Sequence, residues 1–142
     1  MAKTIRLIYA STARSDLGYE DVTAILKTAN DFNAWHGITG ILCYGNNAFL
    51  QALEGERAAV SGLYSQIVQD ARHSGCELLA YGEIGARSFP DWSMKLIGFE
   101  GAERRAILER SGSTSFKPLN LTGEGALGFL CDLAEIERAI AV

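Results

Sequence analysis

Two short runs, ITGILCY (38–44) and AFLQALE (48–54), each have the composition of a strand, and only Gly45, Asn46 and Asn47 lie between them. Glycine and asparagine accept the backbone angles that a tight reversal demands, so the two runs are expected to close into an antiparallel hairpin. On either side of the hairpin the apolar residues recur at helical spacing. In residues 19–35 these are Val22, Ile25, Leu26, Ala29 and Phe32, with Asn33 ending the stripe. In residues 56–71 they are Val60, Leu63, Tyr64, Ile67 and Val68. Glu20 and Asp21 suit the first turn of the first helix, and Gly37 is a natural stop. Gly62 sits inside the second helix at a cost of about 1 kcal/mol relative to alanine.

A strand pattern precedes the first helix (TIRLIYAS, 4–11), and two follow the second (ELLAYGEIG, 77–85, and WSMKLIG, 92–98), separated by a loop with Pro90. The predicted order is β-α-β-β-α-β-β. This is an α+β, ferredoxin-like arrangement with one extra strand in a five-stranded mixed sheet. Right-handed crossovers put both helices on one face, which leaves room for a ligand between them, above the sheet.

The rest of the chain reads differently. Residues 100–111 suggest a short charged helix, 111–125 a polar loop, and 125–141 an apolar helix with Leu127, Leu130, Leu133 or Ala134, and Ile140 as contacts. That helix is expected either on the sheet face opposite the ligand or on a partner. Residues 1–99 are therefore read as one domain and 100–142 as a helical extension.

Composition excludes several classes. At 142 residues, 48% apolar and 21% charged, the chain is one globular domain's worth. A net charge of −4 argues against nucleic-acid binding. No uncharged apolar run reaches 18 residues, and the start lacks a signal-peptide pattern, so a cytoplasmic protein with no membrane span is expected. Cys43, Cys76 and Cys131 have no CxxC spacing and read as reduced thiols. His36 and His73 belong to no cluster with metal-ligand spacing, so no metal is expected.

Tyr9 and Gln51 stand out because they lie in strands. By the two-residue period Ile5, Leu7, Tyr9 and Ser11 share one face of the first strand; Phe49, Gln51 and Leu53 share one face of the third, with Leu50, Ala52 and Glu54 on the other. A buried phenol or carboxamide without a partner loses about 1–3 kcal/mol. Taken singly, Tyr9 reads as a core aromatic, Gln51 as a satisfied amide and Asn33 as a cap. Likewise Arg72 and His73 read as cations at a helix end, Met94 and Trp92 as core filler, and Glu54 as a solvated or capping carboxylate. Taken jointly, Tyr9, Asn33 and Gln51 suit a polar, planar ligand.

The joint pattern resembles the BLUF family, the sensors of blue light using flavin. The resemblance covers roughly residues 4–98 and rests on Tyr9 in the first strand, GITG (37–40), FLQALEG (49–55), DARH (70–73) and FPDWSM (89–94), in that order. A short tail with no output enzyme resembles the family's stand-alone members. The resemblance implies a noncovalent flavin between the two helices, usually FAD, with FMN or riboflavin as alternatives. Phe32, Gln66 and Gln69 stand where some relatives carry polar or basic residues.

By position, Tyr9 would give an electron to the excited flavin, Gln51 would bridge the phenol and the flavin edge, and Asn33 would bond the ring. Ile25 and Ile67 would flank the ring; Asn30, Asp70, Arg72 and His73 would lie beside the cofactor. Trp92 and Met94 would relay the change through the last strand to the tail and to a downstream protein. An exposed apolar tail would favour a homo-oligomer.

Two other classes are weighed against this reading. One is an enzyme, either a flavin reductase or an acylphosphatase-like hydrolase; no GxGxxG follows a strand, and Ser11 to Arg14 is a faint anion loop. The other is a partner-binding protein with a vestigial pocket.

Overall fold

The computed structural model describes residues 3–98 and 115–140. The elements are β1 (Thr4–Ala13), α1 (Tyr19–His36), β2 (Thr39–Gly45), β3 (Ala48–Glu56), α2 (Arg57–Val68), β4 (His73–Glu83), β5 (Lys95–Gly98), a 3-10 turn (Pro118–Asn120) and α3 (Gly123–Ile140). The predicted helix over 100–111 lies outside the described residues.

The hairpin forms as expected. Asn46 and Asn47 are its two central residues, with φ of 49° and 56°, the doubly positive geometry that matches the twist of the flanking strands. Gly37 ends α1 in the left-handed region at φ 67°. The strands form one sheet in the order β4-β1-β3-β2-β5, mixed because β5 alone runs parallel to its neighbour.

Strand alternation sorts the core into two layers. Ile5, Leu7, Tyr9, Leu42, Phe49 and Leu53 face α1 and α2. Ile8, Ala10, Ile41, Cys43, Leu50 and Ala52 face the other way and are covered by α3. Leu130, Leu133 and Ala134 of α3 are buried there and Leu127 packs beside them; Ile140, expected as a contact, is exposed at the helix end. The segment expected as a plain polar loop also joins this layer. Phe116 stacks on Phe129 with centroids 6.1 Å apart, and its carbonyl accepts from Asn46 Nδ2 at 3.0 Å.

Three boundaries differ from the sequence expectation by three residues or more. β4 begins at His73, not residue 77, because Thr12 and Ala13 extend β1 and pair with Ser74 and His73. α2 ends at Val68 in two tighter turns, Gln69 N to Gln66 O and Asp70 N to Ile67 O. β5 begins at Lys95, not residue 92, because the residues before it bond sideways: Trp92 O accepts from Gly40 N, and Ser93 O accepts from Asn33 Nδ2. Gly40 is required at that crossing, since a Cβ there would lie 2.0 Å from Ala52 O and 3.2 Å from Met94 Cε.

Glu54 corrects a second expectation. It is neither solvated nor a cap but fully buried. Its carboxylate accepts from Arg6 Nε at 2.9 Å, Ser88 N at 3.0 Å and Phe89 N at 2.8 Å, while Arg6 also donates to Ser88 Oγ at 2.7 Å. A buried carboxylate is tolerable only when paired and fully bonded, and here it pins the loop that carries Phe89 to Met94.

Candidate functional site

A cleft of about 190 Å3 opens between α1 and α2, with β1, β2 and β3 as its floor. Its side walls are apolar: Ile25, Ala29 and Phe32 from α1, Leu63 and Ile67 from α2. The floor presents Tyr9, Leu42, Phe49 and Gln51, and one end is closed by Asp70, Arg72 and His73. Apolar walls with convergent polar groups at the floor and one end are the usual composition of a small-molecule site.

Tyr9 and Gln51 meet because β1 and β3 pair in a register that sets them directly opposite. The β1–β4 ladder shifts register between Ile8 and Tyr9, an irregularity of the kind that re-aims a side chain. Tyr9 is 3% exposed, and its hydroxyl donates to Gln51 Oε1 at 2.5 Å. Gln51 Nε2 in turn donates to Met94 Sδ at 3.3 Å. Sulfur is a weak acceptor, so this last bond is easily exchanged for a better one. Burial pushes the Tyr9 phenol well above its ordinary range, with smaller contributions from Cys76, Tyr64 and Asp70. Tyr64 stands beside it, ring centroids 5.4 Å apart, its own phenol also raised by burial.

Asn33 lies behind the cleft, fully buried at the end of α1. Its Nδ2 ties α1 to Ser93 O, and its Oδ1 is buried with no partner among the described residues. At the polar end, Arg72 donates from Nε to Asp70 Oδ1 at 2.9 Å, and from Nη2 to Oδ2 at 2.5 Å. The Arg72 guanidinium holds the Asp70 carboxyl down at about 2. His73 bridges Ser11 Oγ at 2.7 Å and Ile67 O at 2.5 Å. The ring nitrogen facing the carbonyl donates, and in a neutral imidazole Nδ1 would then accept from the serine hydroxyl.

Of the residues singled out in the sequence, Tyr9, Ile25, Gln51, Ile67, Asp70, Arg72 and His73 therefore come together around the cleft. Met94 joins them beneath Gln51. Asn30 is half-buried on α1 and does not line the cleft. Trp92 packs on the opposite side of the sheet, in the α3 layer. Thr28, Leu42 and Phe49 also border the cleft without having been marked as site residues, because nothing local distinguishes them from ordinary helix and strand positions.

The residues fit a flat heteroaromatic ring with a polar edge, since apolar walls face its two planes. The exchangeable Gln51 amide lies on the floor of the cleft, and the Asn33 carbonyl, without a partner among the described residues, lies behind it. Over residues 4–95 the chain matches the family model described as sensors of blue-light using FAD. The chain belongs to the BLUF family. It is a flavin-binding blue-light sensory domain, and FAD is the cofactor of that family.

Among curated BLUF relatives, it is 38% identical over 89 residues to the photoactivated adenylate cyclase subunit beta of Euglena longa. The match covers 62% of this chain and 10% of that protein. It is 33% identical over 103 residues to the blue light- and temperature-regulated antirepressor BluF of Escherichia coli K12, covering 72% and 26%. The chain thus spans about a tenth of the cyclase relative it matches. Among solved BLUF structures, BlsA in its photo-activated state superposes with a TM-score of 0.84 at 36% identity, covering 92% of this chain and 94% of that one. The dark-state structure of BlrB gives 0.78 at 33%, covering 93% and 95%. Among the described residues, no helix is long and apolar enough to cross a membrane.

Proposed function

We propose that this chain senses blue light through a hydrogen-bond switch at Tyr9 and Gln51 and passes the change to its C-terminal region. The observation that carries the reading is the buried sequence of contacts from Tyr9 hydroxyl to Gln51 amide to Met94 sulfur.

Ile25 and Ile67 would flank the ring, Asn33 and Gln51 would meet its polar edge, and Asp70, Arg72 and His73 would border the remainder. FAD fits, and FMN or riboflavin would present the same ring. Bound flavin supplies blue-light absorption and an excited state that takes an electron.

Tyr9 is the electron donor of the site. Burial makes its ionised phenolate unfavourable on its own, so loss of an electron and loss of the hydroxyl proton go together. The proton has a place to go, because the hydroxyl already donates to Gln51 Oε1. When the electron returns, Tyr9 regains a proton from Gln51: the amide is left rotated if the Oε1 proton goes back, or tautomerised if Oε1 keeps it and a proton from Nε2 makes up the balance. A glutamine amide has donors on one side and an acceptor on the other, so either state exchanges what Gln51 offers to Met94 and to the ring edge. In a low-dielectric site its neighbours respond to such a change. Met94 precedes β5, and β5 lies against the layer that α3 covers, so the relay runs from the sheet toward the C-terminal region. This chain carries the signal without turnover, residues 1–99 acting as the sensor and 100–142 as the output segment toward a downstream protein. A cytoplasmic setting suits the reading.

The test is the absorption spectrum of the purified chain in darkness and just after blue light, with Gln51→Leu beside it. The unmodified chain gives a flavin spectrum that moves slightly red and recovers in darkness. Gln51→Leu keeps the flavin and loses the shift; a shifting leucine variant would move the switch to another residue.

Self-association is also expected, at the outer edge of β4 rather than at the tail, whose apolar stripe α3 already buries on the sheet. β4 is an edge strand that leaves Leu78 and Tyr81 about half exposed. Light scattering against the chain mass of 15.4 kDa decides it, and a monomer at all concentrations would remove this part.

A further inference from the structure

In extended backbone, side chains two residues apart point the same way. Leu96 packs in the layer facing α1 and α2, and Met94 lies in that same layer, as the period requires. Trp92 does not follow. It packs in the opposite layer, against α3. The alternation therefore breaks between Trp92 and Met94, where Ser93 O is taken by Asn33 and not by a strand partner.

The contact that reaches Trp92 from outside the sheet is Arg138, in the last turn of α3. Its guanidinium carbon lies 5.6 Å from the indole centroid. Its Nη2 donates to Ser88 O at 2.7 Å, and its Nε to Asp91 Oδ2. One planar fork thus grips the loop at two points and covers the indole between them. Glu54 pins the start of the same loop through Ser88 N and Phe89 N. Only the short stretch from Pro90 to Ser93 lies between that anchor and Met94.

We propose that Arg138 is a positioning residue that holds Trp92 on the α3 side of the sheet and thereby decides that Met94, and not Trp92, borders Gln51. The proposal rests on the flavin-sensor reading for its consequence. The residue under Gln51 sets what the switching amide can bond. Arg138 thereby couples α3 to the switch in both directions, since a partner that pulls on α3 changes the grip on Trp92. Lysine cannot replace it, because it lacks the fork that engages Ser88 O and Asp91 together.

Trp35 is 86% exposed and outside the cleft, so Trp35→Phe leaves Trp92 as the single indole of the chain. In that flavin-loaded full chain, Trp92 fluorescence is titrated with acrylamide in darkness, with and without Arg138→Ala. Simple loss of the covering guanidinium would expose the indole and raise quenching. Release of Trp92 to the cleft side buries it, so a fall in quenching is expected. The red-shifted state should then recover at a rate altered about three- to fivefold, the scale a partly exposed cation–π contact sets. A rise or no change in quenching overturns the proposal. Should Arg138→Ala fail to fold, the sign measured in Asp91→Asn decides, a smaller fall being expected. A parent chain that binds flavin but shows no red shift would overturn the sensor reading instead, a separate outcome seen in the same sample.

Discussion

Replacing Tyr9 with phenylalanine is expected to abolish the red-shifted state while leaving the flavin bound. The substitution keeps the ring that fills the floor of the cleft, so the core layer of Ile5, Leu7, Phe49 and Leu53 stays packed. It removes the one hydroxyl bonded to Gln51 Oε1. A buried acceptor left unpaired costs about 1–3 kcal/mol, a loss a chain of this size can bear. The amide is then free to turn, but no donor supplies the electron and proton that would drive it between two states. The measurement is the light-minus-dark absorption difference of the purified variant. A normal reversible shift in Tyr9→Phe would end the donor role assigned to Tyr9, and attention would pass to Tyr64, whose ring lies 5.4 Å away.

The largest effect on stability is expected at Glu54. Glu54→Ala should lower stability by about 3 kcal/mol, the scale for removing one partner of a buried ion pair, and the melting temperature by about 10 °C for a chain of this length. Three donors lose their acceptor together: the Arg6 guanidinium and the backbone N–H groups of Ser88 and Phe89. The backbone donors separate this case from an ordinary ion pair. Where only two side chains are involved, replacing both with apolar residues is often neutral. Here Arg6→Met with Glu54→Leu should recover little, because the buried N–H of Phe89 and the half-buried N–H of Ser88 remain without partners, at about 1–3 kcal/mol for a buried donor. Thermal melts of the single and double variants measure this. A double variant as stable as the parent would show that the loop is held by packing around Phe89 and not by the carboxylate.

Much of this protein is legible one residue at a time. The hairpin follows from Asn46 and Asn47, whose positive φ few other residues adopt cheaply, and the two helices follow from the spacing of their apolar stripes. The facing pattern of Tyr9 and Gln51 follows from the two-residue period, which also put Ile8, Ala10 and Leu50 in the other layer. Such features are local. They depend on backbone sterics and on which side of an element a residue points, and both are set within a few residues of chain.

What escaped the sequence is what depends on neighbours distant along it. Glu54 looks like a surface carboxylate beside Gly55 until Arg6, 48 residues away, and the loop at 88–89 arrive to bond it. Trp92 and Met94 look equivalent, two apolar residues at strand spacing. They are parted by a side chain of α1 that takes Ser93 O and by an arginine of α3 that stacks on the indole. Nothing near Arg138 in the sequence marks it as the residue that reaches that loop. The order of the elements, their faces and the polar pair at the centre could be read from the residues alone, because those are properties of short stretches of chain. Which residue sits under Gln51, where the buried charge goes and which face α3 covers emerge only from the assembled fold. Each of those is a competition between partners that meet only once the sheet has formed.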